Sequence, residues 1–144
     1  MAPSDLDDVL AVHGAFYEAF ERADFDAMQE LWAEDEGVVC VHPATEPIRG
    51  RREVMRSWMV LMANSPYIQF FLTDVQASVT GDLASVTCTE NVLSAGADTP
   101  IGVFAGGSAA ATNVLRYTSQ GWRLWIHHAS PVLSSTDATQ EEAP

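Results

Sequence analysis

Thr112-Asn113-Val114-Leu115-Arg116-Tyr117, followed after Thr118-Ser119-Gln120 by Gly121-Trp122-Arg123-Leu124-Trp125-Ile126-His127-His128-Ala129-Ser130-Pro131, is the stretch that decides the fold. Two runs rich in β-branched and aromatic residues, parted by small polar residues and a glycine, predict a hairpin. Such residues permit a tight reversal, and alternating side chains suit a half-buried sheet. In the second strand Trp122, Leu124, Ile126 and His128 share one face, while Arg123, Trp125 and His127 share the other. The first is the expected core face, so His128 closes an apolar row and His127 points outward. Ala111, Asn113, Leu115 and Tyr117 form the matching row in the first strand, and polar groups on these apolar rows imply a pocket.

Working outward, residues 68–79 and 83–93 flank Thr80-Gly81-Asp82 as a second hairpin, so the sheet is largely antiparallel. Ala84, Val86, Cys88 and Val92 alternate there with Ser85, Thr87, Thr89 and Asn91. Glu90 falls on the apolar face, where a carboxylate is desolvated and needs a partner or holds its proton more tightly. Between the hairpins, residues 95–108 hold four glycines and a proline without a period, which reads as a mobile loop and a candidate lid. The tail 134–144 is small, polar and acidic, and is expected to be disordered.

Ahead of the sheet, Ser4 or Asp5 caps a helix whose apolar positions Leu6, Val9, Leu10, Phe16, Tyr17 and Phe20 recur at helical spacing. His13 lies on the same stripe one turn before Tyr17. It reads as a core-edge histidine that could also reach a pocket rim. Asp24 opens a second, shorter helix with Phe25, Met28, Leu31 and Trp32 inward. Val38-Val39-Cys40-Val41-His42 is a short strand stopped by Pro43, which cannot donate to a ladder. A third helix, 51–63, carries Val54, Trp58, Leu61 and Met62 on one stripe. Arg49, Arg51, Arg52 and Arg56 crowd its start, which disfavours the helix N-terminus unless an anion or an acidic neighbour stands close. Pairing with the chain's own Asp and Glu is the plainer reading.

Composition sets the outer bounds. The chain has 144 residues, of which 47% are hydrophobic, and this fits one globular domain with a real core. A formal net charge of −13, with seven Arg and no Lys, argues against nucleic acid and anionic membrane surfaces as partners. The N-terminus is acidic where a signal peptide is basic, and no apolar run approaches the roughly 20 residues of a membrane span, so a cytoplasmic protein is expected. Cys40 and Cys88 lack Cys-x-x-Cys spacing and sit in apolar runs, which points to reduced core thiols. His127 and His128 point apart along one strand and no spaced histidine pair adds ligands, so no metal is expected.

Two helices, a strand, a helix and four long strands give an α+β class, with a curved antiparallel sheet wrapped as a cone around three N-terminal helices. That order of elements, together with Ala19-Phe20-Glu21-Arg22-Ala23-Asp24-Phe25-Asp26-Ala27-Met28, Leu31-Trp32-Ala33-Glu34-Asp35, and Gly121-Trp122-Arg123-Leu124 through His128-Ala129-Ser130-Pro131, resembles the nuclear transport factor 2-like superfamily. Its SnoaL-like and ketosteroid-isomerase-like branch is the nearest. The resemblance covers residues 6–133, a single domain over 1–133, and implies a half-open α+β cone that usually dimerises through the outer face of its sheet.

The resemblance also implies a site. The isomerases place a tyrosine on the first helix seven residues before the interhelix turn, and Tyr17 stands seven before Asp24. Their general base is an aspartate just before a proline after the first strand, where this chain has His42 before Pro43. Their second oxyanion-hole acid lies in a pattern matched here by Asn113-Val114-Leu115-Arg116-Tyr117. Both acids are thus replaced. Neutral imidazole still accepts a proton near neutral pH, while Tyr O–H and Asn N–H can donate to a developing oxyanion, so Tyr17, His42 and Asn113 are the candidate catalytic set. Trp32, Trp58, Met62, Glu90, Leu115 and His128 are the candidate lining. Two functions remain open: a cofactor-free isomerase or cyclase acting on an apolar carbonyl compound of polyketide or steroid type, and a noncatalytic ligand-binding or dimerisation module. A homodimer is expected in either case, because Trp125 and Val114 lie opposite the core rows.

Overall fold

The computed structural model describes residues 4–95 and 105–133. Helix α1 (Ser4–Glu21) buries Val9, His13, Phe16, Tyr17 and Ala19 along one face. Its first turn carries Asp5 and Asp7, which suit the positive end of the helix dipole. Asp24 caps α2 (Phe25–Leu31) by accepting from the Ala27 amide at 3.1 Å. After β1 (Val39–Val41) and a two-residue strand β2 (Ile48–Arg49), helix α3 (Arg51–Asn64) buries Val54, Met55, Trp58 and Met62. Four long strands follow: β3 (Tyr67–Thr80), β4 (Leu83–Ala95), β5 (Ala105–Thr118) and β6 (Gly121–Pro131).

The strands form one curved, unclosed sheet in the order β2-β1-β6-β5-β4-β3, with the helices on its inner face. Every pairing is antiparallel except β1 with β6, where Cys40 lies beside His127 and Val41 beside His128, so the sheet is mixed. The aromatic core joins the layers: Phe16 meets Trp58 edge to face at 5.2 Å between ring centres, and Phe20 meets Trp58 at the same separation. Of the arginines at the head of α3, Arg51 finds backbone carbonyls rather than an anion or a carboxylate. Arg51 donates to the backbone carbonyls of Gln29 (2.8 Å), Trp32 (2.9 Å) and Ala33 (3.0 Å), which the end of α2 leaves unpaired.

The lower hairpin departs from simple alternation. Val114 pairs with Ile126 but Leu115 pairs with Leu124, so Trp125 has no opposite number and bulges. An extra residue in one strand inverts the phase beyond it. Trp122 and Leu124 face the core before the bulge, and His127 and Ala129 face it afterwards. The expectation for both histidines is therefore corrected: His127 is buried and inward, and His128 is exposed on the outer face.

Strand β3 is one rim of the sheet. Asp74 and Val75 oppose the single residue Cys88, and Asp74 takes a left-handed backbone (φ 52°) to make that bulge. Nearer the helices, the Phe70 amide donates to the Glu21 carboxylate of α1 at 2.8 Å. Part of the expected lid is strand instead, since β5 begins at Ala105. The rest of it, and the expected tail at 134–144, lie outside the described residues.

Candidate functional site

A half-enclosed cavity of about 430 Å³ with mostly apolar walls lies between α1, the end of α3 and the inner face of the sheet. Phe16, Phe20, Trp58 and Phe70 supply its aromatic surfaces, and its titratable groups come from separate elements: Tyr17 on α1, His42 after β1, Glu90 on β4 and His127 on β6. The volume suits a small organic molecule, and a few convergent polar groups in apolar walls are what ligand sites require.

Behind this wall the polar groups form one network. Tyr17 Oη donates to Glu90 Oε2 at 2.6 Å and accepts from Asn113 Nδ2 at 3.1 Å. Asn113 Nδ2 also donates to His13 Nε2 at 2.9 Å, and Asn113 Oδ1 accepts from His127 Nδ1. The Asn113 amide is thus fully used, as a buried amide with no solvent exposure must be. His42 has a separate anchor: Ser57 Oγ donates to the Val54 carbonyl at 2.6 Å and therefore accepts from His42 Nε2 at 3.0 Å.

Burial sets the protonation states. It lowers His13 and His42 to about 4, and His127 to about 3 with help from the neighbouring histidines, so all three rings are neutral at neutral pH. Burial raises Glu90 above the ordinary carboxylate value, which the Tyr17 hydrogen bond partly offsets. Burial and the Glu90 charge push Tyr17 well above the usual phenol range, so it keeps its proton. The Cys40 and Cys88 thiols are likewise pushed up by burial and are not poised as nucleophiles.

Tyr17 and His42 share the cavity, with Glu90 and Trp58 on its wall. Asn113 reaches Tyr17 but sits behind the lining. Met62 and Leu115 are buried in the core and do not line the cavity. Trp32 packs 6.5 Å from Trp58 and borders a separate polar cleft with Gln29 and Arg123. His128 leaves the lining for the reason given above, and His127 takes its place. Reading the strand by strict alternation misses His127. The signal available was Asn113 itself, a polar residue in an apolar row whose amide needs several partners. Among the described residues no group of three His, Cys, Asp or Glu stands close enough to hold a metal ion. No described helix is long and apolar enough to cross a membrane.

Residues 9–134 match the model of the SnoaL-like domain family. Among solved structures, the chain is similar to a candidate dehydratase of the nuclear transport factor 2-like family from Streptomyces avermitilis. The two are 49% identical, the match covers 92% of this chain and 100% of that one, and the TM-score is 0.86. It is also similar to a candidate calcium/calmodulin-dependent protein kinase type II association domain from Thiobacillus denitrificans, at 31% identity over 86% of this chain and 94% of that one, with a TM-score of 0.75. The F-box protein SKIP8 of Arabidopsis thaliana is 26% identical over 127 residues, which are 87% of this chain and 50% of that protein. The chain spans about half the length of that curated relative.

Proposed function

The chain belongs to the SnoaL-like domain family, and from that premise we propose that it is a cofactor-independent acid/base enzyme acting on a small apolar carbonyl compound. The observation that carries this reading is the convergence of two neutral imidazoles and a Tyr17–Glu90 pair on one apolar cavity. A neutral imidazole removes a proton from the carbon beside the carbonyl, and the C–H electron pair moves onto the carbonyl oxygen as an enolate. In a β,γ-unsaturated ketone the pair returns with a proton placed on the γ-carbon, and the double bond moves into conjugation with the carbonyl. If a β-hydroxyl is present, the same pair expels it, and the imidazolium formed in the first step returns its proton to the leaving oxygen as water. Similarity to a candidate dehydratase supports the second outcome.

A second reading, a binding module without turnover, has one observation in its favour. The Tyr17 hydroxyl hydrogen and both Asn113 amide hydrogens are already engaged by protein acceptors, so they are not free to stabilise an oxyanion. Deuterium exchange at the α-carbons of β-tetralone separates the two. The enzyme reading expects protein-dependent exchange, and binding without exchange would sink it.

A further inference from the structure

The two imidazoles on the cavity differ in what their nitrogens already do. The Ser57 hydroxyl has one hydrogen and gives it to the Val54 carbonyl, so His42 Nε2 carries the hydrogen of its own bond to Ser57. The Cys40 sulfur stands over the same ring, 3.5 Å from Nε2 and 3.8 Å from Nδ1, and with Nε2 already carrying a hydrogen the thiol's own hydrogen is left for the Nδ1 lone pair. His127 is arranged the other way round. Its Nδ1 faces the Asn113 carbonyl oxygen, which only accepts, so Nδ1 carries the hydrogen. Nε2 is left as a lone pair with no hydrogen-bond partner among the described residues, on a side chain that lines the cavity.

The Asn113 amide is not free to turn. Its nitrogen lies between His13 Nε2 and Tyr17 Oη, and the Tyr17 hydrogen is directed at Glu90. A flipped amide would set its oxygen against a phenol oxygen whose hydrogen points elsewhere. We infer that Asn113 is a positioning residue that holds His127 as the Nδ1–H tautomer, and that His127 Nε2, not His42, is the acceptor the cavity offers to a ligand's proton. The matching ligand is an apolar ring compound with one acidic hydrogen: the α C–H of a ketone, or the O–H of a phenol that has the shape of its enol. For the ketone this rests on the acid/base reading; for the phenol it does not. Burial supports the assignment by keeping the ring neutral.

Long-range ¹H–¹⁵N spectra of the histidine rings in the full chain test it, with β-naphthol as the phenol probe. The expected result is a protonated Nδ1 and a bare Nε2 at His127, with saturating β-naphthol moving the Nε2 resonance far more than Nδ1. An Nε2–H tautomer at His127 would overturn the inference, and so would an unmoved Nε2 at saturating probe. Asn113→Ala should divide His127 between both tautomers, whereas Asn113→Asp, which keeps an acceptor oxygen, should retain Nδ1–H. A His127 tautomer indifferent to both changes would remove Asn113 as its cause. In the β-tetralone assay, exchange that survives His127→Gln would overturn the acceptor while leaving the enzyme reading intact. No exchange in the unaltered chain, with the tautomer as expected, would sink the enzyme reading and leave the acceptor standing.

Discussion

Asn113 holds a first-helix histidine, the cavity tyrosine and a last-strand histidine in one plane of hydrogen bonds, without touching the cavity itself. Replacing it with Leu keeps the volume but strands polar atoms at His13 and His127, where no water reaches. We expect Asn113→Leu to lose on the order of 3 kcal/mol in urea unfolding. Tyr17→Phe removes an acceptor from one buried Asn113 N–H, while Glu90 lies at the cavity and can be hydrated; roughly 1–2 kcal/mol is expected by the same measurement. The three buried histidines also set an acid limit. In the unfolded chain they take protons from about 6.5 downward, and in the folded chain only from about 4 (His127 about 3), so the unfolded state binds more protons throughout that window. Stability therefore falls as pH drops from about 6.5 toward 4. Glu90 works in the opposite direction, since its raised folded value favours the folded chain at acid pH, but it is one group against three. A urea midpoint at pH 5 no lower than that at pH 7 would refute this.

At the level of elements, the hairpin at the end of the chain was legible and its phase was not. Turn residues and β-branched runs locate β5 and β6, because local backbone preferences act over a few residues. The bulge at Trp125 appears only in the register of β6 against β5, which no local pattern states, and alternation counted from the turn consequently misplaced both histidines. The inward rows of β4 and the start of β5 followed from alternation alone, which is why Glu90 and Asn113 stood out as buried polar residues. His13 could be placed on a buried stripe, but not given a partner a hundred positions along the chain. Two glycines test how the elements hold their shape. Gly14 sits inside α1 with nothing within 4 Å of an added Cβ, so Gly14→Ala should stabilise by about 1 kcal/mol. Gly121 opens β6 with a positive φ of 103°, so Gly121→Ala should cost about 1 kcal/mol or more without any clash to explain it. Thermal midpoints moving in the same direction for the two variants would contradict this.

For the whole molecule, the outer face of the sheet is the surface we propose for a homodimer, with half-buried Val114 and Trp125 and the exposed Phe71 as its apolar content. Two copies each carrying a net charge of −13 repel each other, so the dimer should tighten as salt is added. Sedimentation that finds a monomer at micromolar concentration in both low and moderate salt would refute the dimer. The rim of the sheet carries a different consequence. A long strand at the rim of a sheet is a template on which further chains could stack without limit, the first step toward fibrils. Here the Glu21 carboxylate occupies the Phe70 amide, and the kink at Asp74 twists the other half of the strand out of line. Glu21 thus guards the preparation in the tube: Glu21→Ala should leave a chain that folds but clouds on concentrated storage, and its light scattering over weeks would show whether that single carboxylate keeps the edge closed.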